Sequence, residues 1–218
     1  MKKTQKTAEI VYILDKSGSM YSFTADTIGG FNSSLHKQKE EIETGYITTI
    51  LFDNNHYMLH DRLPLKEVPD ITDKEYQAGG STALLDALGD GISHIEKVHH
   101  YILKDDIPEQ TIFVIITDGM ENASTKYTLP QIRLMITKKQ EEGWEFMFLG
   151  ANIDAIETAG HYGIDAVHTS NFCQDEEGIE LAFESVSEFV KSRTRAQKDS
   201  SAMWKNRVEA DYNSRGKK

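Results

Sequence analysis

The sequence has little of three features that define common classes of protein. A single cysteine, Cys173, excludes an intramolecular disulfide and agrees with a reducing compartment. No apolar run approaches the length that crosses a bilayer, so we expect no membrane anchor. Basic residues are also scarce, with 24 Lys and Arg against 35 Asp and Glu. The net charge of −11 disfavours nucleic acid and anionic membranes as partners, since both are bound chiefly through Lys and Arg.

The start of the chain lacks the pattern of a secretory signal. Residues 1–7 are basic, but they lead directly into a strand-like segment that contains Glu9, with no apolar signal region and no small-residue cleavage site. We therefore expect a cytoplasmic protein.

What the chain does have is the composition of an ordinary globular domain. With 39% apolar and 27% charged side chains, 218 residues are enough for one sizeable core and too few for two comfortable ones. We expect residues 1–7 to be an extension and residues 8–198 to form one domain. Residues 199–218 should be a polar tail, frayed or disordered, with Trp204 and Val208 as its clear apolar anchors.

Runs of β-branched residues alternate with helical periodicity along the domain. The predicted strands are residues 8–14, 46–52, 57–63, 111–116, 144–149 and 166–168. The predicted helices cover about residues 28–42, 82–102, 128–143, 154–162 and 176–195. A turn at residues 53–56 predicts a hairpin, and hence one antiparallel edge strand. The fold class is therefore α/β, a doubly wound, mostly parallel, six-stranded Rossmann-like sheet with helices on both faces.

One loop directly after the first strand has the chemistry of a metal site. Residues 15–20 read DKSGSM, which places the carboxylate of Asp15 and the hydroxyls of Ser17 and Ser19 at alternate positions. Gly18 allows the chain to curl so that both hydroxyls face one point. A hard cation such as Mg²⁺ takes oxygen ligands, so the loop is interpreted as a metal-binding loop.

Two later stretches make this pattern specific. Residues 79–88 bring the hydroxyl of Thr82 to the start of a helix, and residues 115–119 bring Asp118 to the end of a buried strand. With these, the sequence resembles the von Willebrand factor A-type domains over about residues 8–190. The metal-ion-dependent adhesion site (MIDAS) of that family combines Asp-x-Ser-x-Ser with a distant Thr and a distant Asp. All five positions are filled here, by Asp15, Ser17, Ser19, Thr82 and Asp118.

The resemblance implies a function as well as a fold. Ser17, Ser19 and Thr82 would contact Mg²⁺ or Mn²⁺ directly or nearly so, while Asp15 and Asp118 would act largely through water. Neutral hydroxyls leave the cation poorly neutralised, so it would attract an Asp or Glu of a protein partner. Stand-alone intracellular members of the family commonly serve larger assemblies, often with ATPases, which makes an ATPase-containing assembly a candidate partner.

Four neighbouring residues are expected on the rim of this site. They are Lys16, Met20, Glu121 and Asn122. Each could contact a partner, and the sequence leaves solvent exposure as an equal alternative for Glu121 and Asn122.

Two other functions remain open from the sequence. A metal-dependent phosphohydrolase could use Asp15 as a nucleophile, but such enzymes place an acid two residues on, where this chain has Ser17. The sequence also lacks a Gly-x-Ser-x-Gly elbow, a phosphate-binding Gly-Lys-Thr loop, a His-Glu-x-x-His helix and a Cys-x-x-Cys pair. The second alternative is a domain that binds a small anionic ligand at the same loops. We expect a non-enzymatic protein-binding module, an adaptor or scaffold.

Overall fold

The computed structural model describes residues 5–195 and 203–215, and a six-stranded sheet forms the centre of the molecule. The strands, in chain order, are β1 (Ala8–Asp15), β2 (Gly45–Phe52), β3 (His56–Pro64), β4 (Gln110–Thr117), β5 (Glu145–Gly150) and β6 (Thr169–Asn171). They lie side by side in the order β3-β2-β1-β4-β5-β6. All neighbouring pairs are parallel except β2 and β3, which form the predicted antiparallel hairpin at one edge.

Six helices cover the two faces of the sheet. They are α1 (Thr24–Glu41), α2 (Leu84–Tyr101), α3 (Leu129–Glu141), α4 (Ala155–Tyr162), α5 (Glu176–Thr194) and α6 (Asn206–Arg215). Helices α1, α5 and α6 pack on one face and α2, α3 and α4 on the other. Every residue of β1 is buried, because its side chains alternate between the two cores. The α/β fold class predicted from the sequence is confirmed.

Side chains cap the N-termini of three helices by hydrogen bonds. Thr128 and Gln131 form a reciprocal capping box at the start of α3, with a proline in the first turn. Asp154 begins α4 by accepting a hydrogen bond from the N–H of Glu157, and Asp175 begins α5 in the same way with Gly178. These caps place the loops that precede α3, α4 and α5 at the carboxyl edge of the sheet.

The structure differs from the sequence-based expectation at two elements. The last strand is β6, residues Thr169–Asn171, while the predicted strand at 166–168 is a short 3-10 turn. The expected disordered tail contains an ordered helix, α6, preceded by a 3-10 turn that starts at Met203. The physical reason is that both apolar anchors, Trp204 and Val208, are buried against α5. The tail residues 199–202 and 216–218, and residues 1–4 of the extension, lie outside the described residues. None of the described helices is both long and apolar enough to span a membrane.

Candidate metal centre

The ends of the central strands β1 and β4 bring the first two motifs together. Asp15 is the last residue of β1, and its Oδ1 accepts a hydrogen bond of 2.7 Å from the N–H of Ser17. The Ser17 hydroxyl lies 3.1 Å from the Ser19 hydroxyl, which donates to Oδ1 of Asp118 at 2.6 Å. Ser17, Ser19 and Asp118 therefore form one connected row of oxygen atoms, with the buried Asp15 at its base.

Buried groups fix the position of Asp15 from behind. Its Oδ2 accepts a hydrogen bond of 2.6 Å from the hydroxyl of Thr117, the last residue of β4. The phenolic hydroxyl of Tyr76 donates to the backbone carbonyl of Asp15. Asp15 is only 1% exposed, so its carboxylate has a single, well-defined orientation.

Thr82 reaches the same point from a third loop. The N–H of Gly18 donates to the carbonyl of Gly80 at 3.0 Å, and the N–H of Gly79 donates to the carbonyl of Lys16 at 2.8 Å, which joins this loop to the 15–20 loop. A Cβ added at Gly119 would lie 3.2 Å from the Thr82 hydroxyl oxygen and 4.0 Å from that of Ser19. Both hydroxyls thus lie against Gly119, next to Asp118. All five predicted metal residues are brought together.

The third loop depends on the hairpin turn between β2 and β3. Asn54 in that turn accepts a hydrogen bond of 2.7 Å from the N–H of Ser81. Gly80 has φ +78, and a Cβ there would lie 2.1 Å from the side-chain oxygen of Asn54. Only glycine meets both conditions without strain. The hairpin therefore contributes to the site by placing Thr82.

The four expected rim residues occupy different environments. Lys16 forms an ion pair with Asp53, and Met20 is only 2% exposed, so the Met20 side chain does not reach the surface in this structure. Asn122 is exposed and exchanges two hydrogen bonds with Thr82, through its side-chain oxygen at 2.9 Å and its backbone N–H at 3.0 Å. Asn122 thus supports Thr82 from the rim.

Glu121 has a structural contact with each of its carboxylate oxygens. Oε2 accepts from the N–H of Leu85 at 2.8 Å, in the first turn of α2, and Oε1 accepts from the N–H of Ser124 at 2.7 Å. Glu121 therefore ties the loop after β4 to α2. These hydrogen bonds, rather than exposure to solvent, explain the position of Glu121. Contact of Glu121 with a partner stays a prediction.

The two carboxylates of the site are unusually easy to protonate. Burial raises the pKa of Asp15 to about 6, although hydrogen bonds from Thr117 and Ser17 oppose the shift and the charge of Asp118 adds to it. Burial also raises the pKa of Asp118, against hydrogen bonds from Ser19 and Gln174. No Lys or Arg of the described residues forms an ion pair with either carboxylate. A bound cation would supply the missing positive charge.

The donor set fits a hard divalent cation. Two carboxylates and three hydroxyls converge without nitrogen or sulfur ligands, and Mg²⁺ and Mn²⁺ prefer such oxygen sets. Within residues 5–195 and 203–215, His, Cys, Asp and Glu form no group of three or more that could hold a metal. The five residues would hold the cation if one is bound.

Three residues at the site were missed by the sequence analysis. Thr117 and Tyr76 anchor Asp15, and Gln174 donates a hydrogen bond from its side-chain amide to Oδ2 of Asp118. Thr117 could have been found, because it directly precedes Asp118 at the end of a strand. Tyr76 and Gln174 lie in irregular segments that are distant in sequence from the carboxylates they support. Nothing in their local sequence indicates these contacts.

Comparisons with known proteins identify the fold. No protein-family model matches the chain, and no curated protein matches it. Among solved structures, the von Willebrand factor domain of the type V pili tip protein Mfa5 from Porphyromonas gingivalis matches with a TM-score of 0.64 at 9% identity, over 88% of this chain and 97% of that one.

Two further structures match less of their own length. The PilB minor pilin from Streptococcus sanguinis has a TM-score of 0.61 at 12% identity, over 89% of this chain and 63% of the pilin. A von Willebrand factor type A structure from Catenulispora acidiphila has a TM-score of 0.58 at 15% identity, over 87% of this chain and 43% of that one. The chain therefore has the von Willebrand factor A-type fold. Identities this low establish the fold alone.

Proposed function

We propose that this chain is a protein-binding module that uses a divalent cation, Mg²⁺ or Mn²⁺, to capture an acidic residue of a partner. The observation that supports this function is the row of Ser17, Ser19 and Asp118 oxygens joined by hydrogen bonds of 3.1 and 2.6 Å. Ser19 is an exposed residue, whereas Asp15 is buried beneath it.

The charge of the site explains why a metal would be required. The chain has a net charge of −11, and the two site carboxylates would repel an acidic partner residue. When bound, the cation would reverse the local sign and supply a ligand position for a partner carboxylate. The chain's own residues orient the site: Thr117 holds Asp15, Asn122 holds Thr82 and Gln174 holds Asp118.

The kind of partner is also part of the proposal. Two of the similar structures are a minor pilin and a pilus tip protein, so this fold is used in proteins of larger assemblies. We propose that this chain is an adaptor or scaffold in a cytoplasmic assembly, with an ATPase-containing assembly as the first candidate partner. The support for a cytoplasmic location is the single cysteine, Cys173, which agrees with a reducing compartment.

We further propose that the module is not an enzyme. A nucleophilic carboxylate needs an accessible oxygen. Asp15 is 1% exposed, and its two oxygens accept hydrogen bonds from Ser17 and Thr117. Phosphoester hydrolysis that required Asp15 would contradict this part of the proposal.

Metal binding by calorimetry tests the function directly. We expect the wild-type protein to bind one Mg²⁺ or Mn²⁺ and Asp118→Ala to bind none, while circular dichroism shows an unchanged fold. Asp73→Ala serves as the control, since Asp73 is exposed. The double variant Ser17→Ala with Ser19→Ala should also lose the metal. Undiminished binding in a folded Asp118→Ala protein would remove this site from consideration.

A further inference from the structure

A second feature at the same edge of the sheet is an open pocket between α3 and α4. Its volume is about 540 Å³, within the range of pockets that bind small molecules. Its lining includes Met120 and Glu121, which closely follow Asp118 in the chain, and the apolar side chains of Leu129, Ile153 and Tyr162. The metal-bridging function does not use this pocket.

Two large apolar side chains of the pocket lining are exposed. Met120 is 69% exposed and Leu129 is 38% exposed. Tyr162 lines the pocket but is only 3% exposed, so its ring forms part of the floor. An apolar side chain that entered the pocket would cover this surface.

The pocket also has acidic residues in its lining. Glu121, Asp154 and Glu157 line the pocket, and Asp154 and Glu157 are exposed. No Lys or Arg in the described part of the chain forms an ion pair with any of the three. An occupant with a basic residue beside its apolar one would match this charge, whereas a second copy of this acidic chain would be repelled.

We infer that this pocket binds a large apolar side chain, aromatic or Leu-like, from the same partner segment that offers its carboxylate to the metal, with a Lys or Arg next to it. This inference depends on the proposed function only where it assigns the partner's acidic residue to the metal. The pocket and its charge are independent of any metal.

The two sites are close enough for one short segment. Met120 is two residues from Asp118 in the chain, so their Cα atoms are at most about 8 Å apart. An extended peptide advances about 3.3 Å per residue, so the partner's acidic residue and its apolar residue would stand roughly two to four positions apart.

Synthetic peptides of defined sequence can test this partner chemistry. The probe is acetyl-Asp-(Gly)n-Phe-Lys-amide with n from one to three, and the control peptide has Ala in place of Phe. Binding in Mg²⁺ is followed by amide NMR shifts of Met120, Ile153 and His161, which line the pocket. We expect at least one Phe peptide to bind about 10- to 100-fold more tightly than its Ala counterpart, the gain for burying one aromatic side chain.

Matched variants separate the pocket from the metal centre. Thr158→Phe on α4 should fill the pocket and weaken the Phe peptide to the level of the Ala peptide, whereas Thr158→Val keeps its volume and should bind as the wild type does. Glu157→Lys should weaken both peptides, because both contain Lys, while Glu141→Lys, an exposed change on α3, should not.

The measured affinities test the pocket and the metal-bridging function separately. Equal affinity for every Phe and Ala pair would overturn the pocket inference. Free N-acetylphenylalanine amide binding as tightly as the best peptide would also overturn it and indicate a site for small ligands. A preference for Phe together with affinities that do not fall on Mg²⁺ removal or in Asp118→Ala would support the pocket while contradicting the metal-bridging function.

Discussion

At the scale of single residues, the site depends on how closely three loops approach one another. Gly80 combines φ +78 with a position where a Cβ would lie 2.1 Å from the Asn54 side-chain oxygen. Its neighbour Gly79 has an ordinary φ and would place a Cβ in open space. The two adjacent glycines therefore differ in what they contribute, although the sequence presents them as equivalent.

This difference gives a matched pair of substitutions. Gly80→Ala should lower the free energy of unfolding by about 1–3 kcal/mol, because it strains the backbone and displaces Asn54 from the N–H of Ser81. Gly79→Ala should leave the free energy nearly unchanged. Urea denaturation of both variants checks the prediction, and equal stability of the two would contradict it.

At the scale of elements, one carboxylate joins α2 to the segment before α3. Asp86, in the first turn of α2, accepts hydrogen bonds from the backbone N–H groups of Thr125, Lys126 and Tyr127 at 2.9 to 3.0 Å. Burial opposes the charge of Asp86, but these hydrogen bonds outweigh it and lower the pKa of the carboxyl group. Asp86 therefore fixes the loop that follows the metal carboxylate.

The lowered pKa of Asp86 predicts how the stability of this contact depends on pH. A carboxyl group whose pKa is lowered by folding stabilises the fold at pH values above its pKa in the unfolded chain, about 3.9. This contribution is lost as the pH falls through the pKa of the group in the folded protein. Asp86→Asn should cost about 1–3 kcal/mol at pH 7, and the cost should shrink below about pH 4. Denaturation at pH 7, 5 and 3.5 measures this difference. The exposed Asp73→Asn is the control, and a cost for Asp86→Asn that does not change with pH would contradict the assignment.

The sequence predicts elements better than it predicts their contacts. Strands β1 and β4 were recognisable because a strand buried on both faces must be apolar throughout, and the α3 start was recognisable because Thr128 and Gln131 are local signals. Tyr76 and Gln174 could not be found, because hydrogen bonds between distant segments leave no periodic pattern. The α6 helix was missed because two anchors, Trp204 and Val208, are too few to define a helical face.

At the scale of the whole molecule, α6 is the last described helix, and its contacts connect it to the edge of the sheet where the candidate metal centre lies. Trp204 packs edge-on against Phe189 of α5, with ring centroids 5.6 Å apart. At the other end of α6, Arg215 forms an ion pair with Asp175, the N-cap of α5. Asp175 directly follows Gln174, which donates to Asp118. The position of α6 is thus linked to the loop that supports the metal carboxylate.

The docking of α6 should depend mainly on Trp204. A helix of 10 residues is marginal by itself, so α6 requires the apolar contact that Trp204 and Val208 provide. Trp204→Ala removes a buried aromatic side chain worth about 3–5 kcal/mol, more than the exposed ion pairs of α6 can replace.

In Trp204→Ala we expect amide hydrogen exchange to accelerate at least tenfold over residues 206–215 and to rise at the start of α5, while β1 and β4 stay protected. The neighbouring Met203→Ala, at a side chain that is 67% exposed, should change neither region. Unchanged exchange over residues 206–215 in Trp204→Ala would mean that polar contacts hold the helix, because the apolar anchor would then be dispensable.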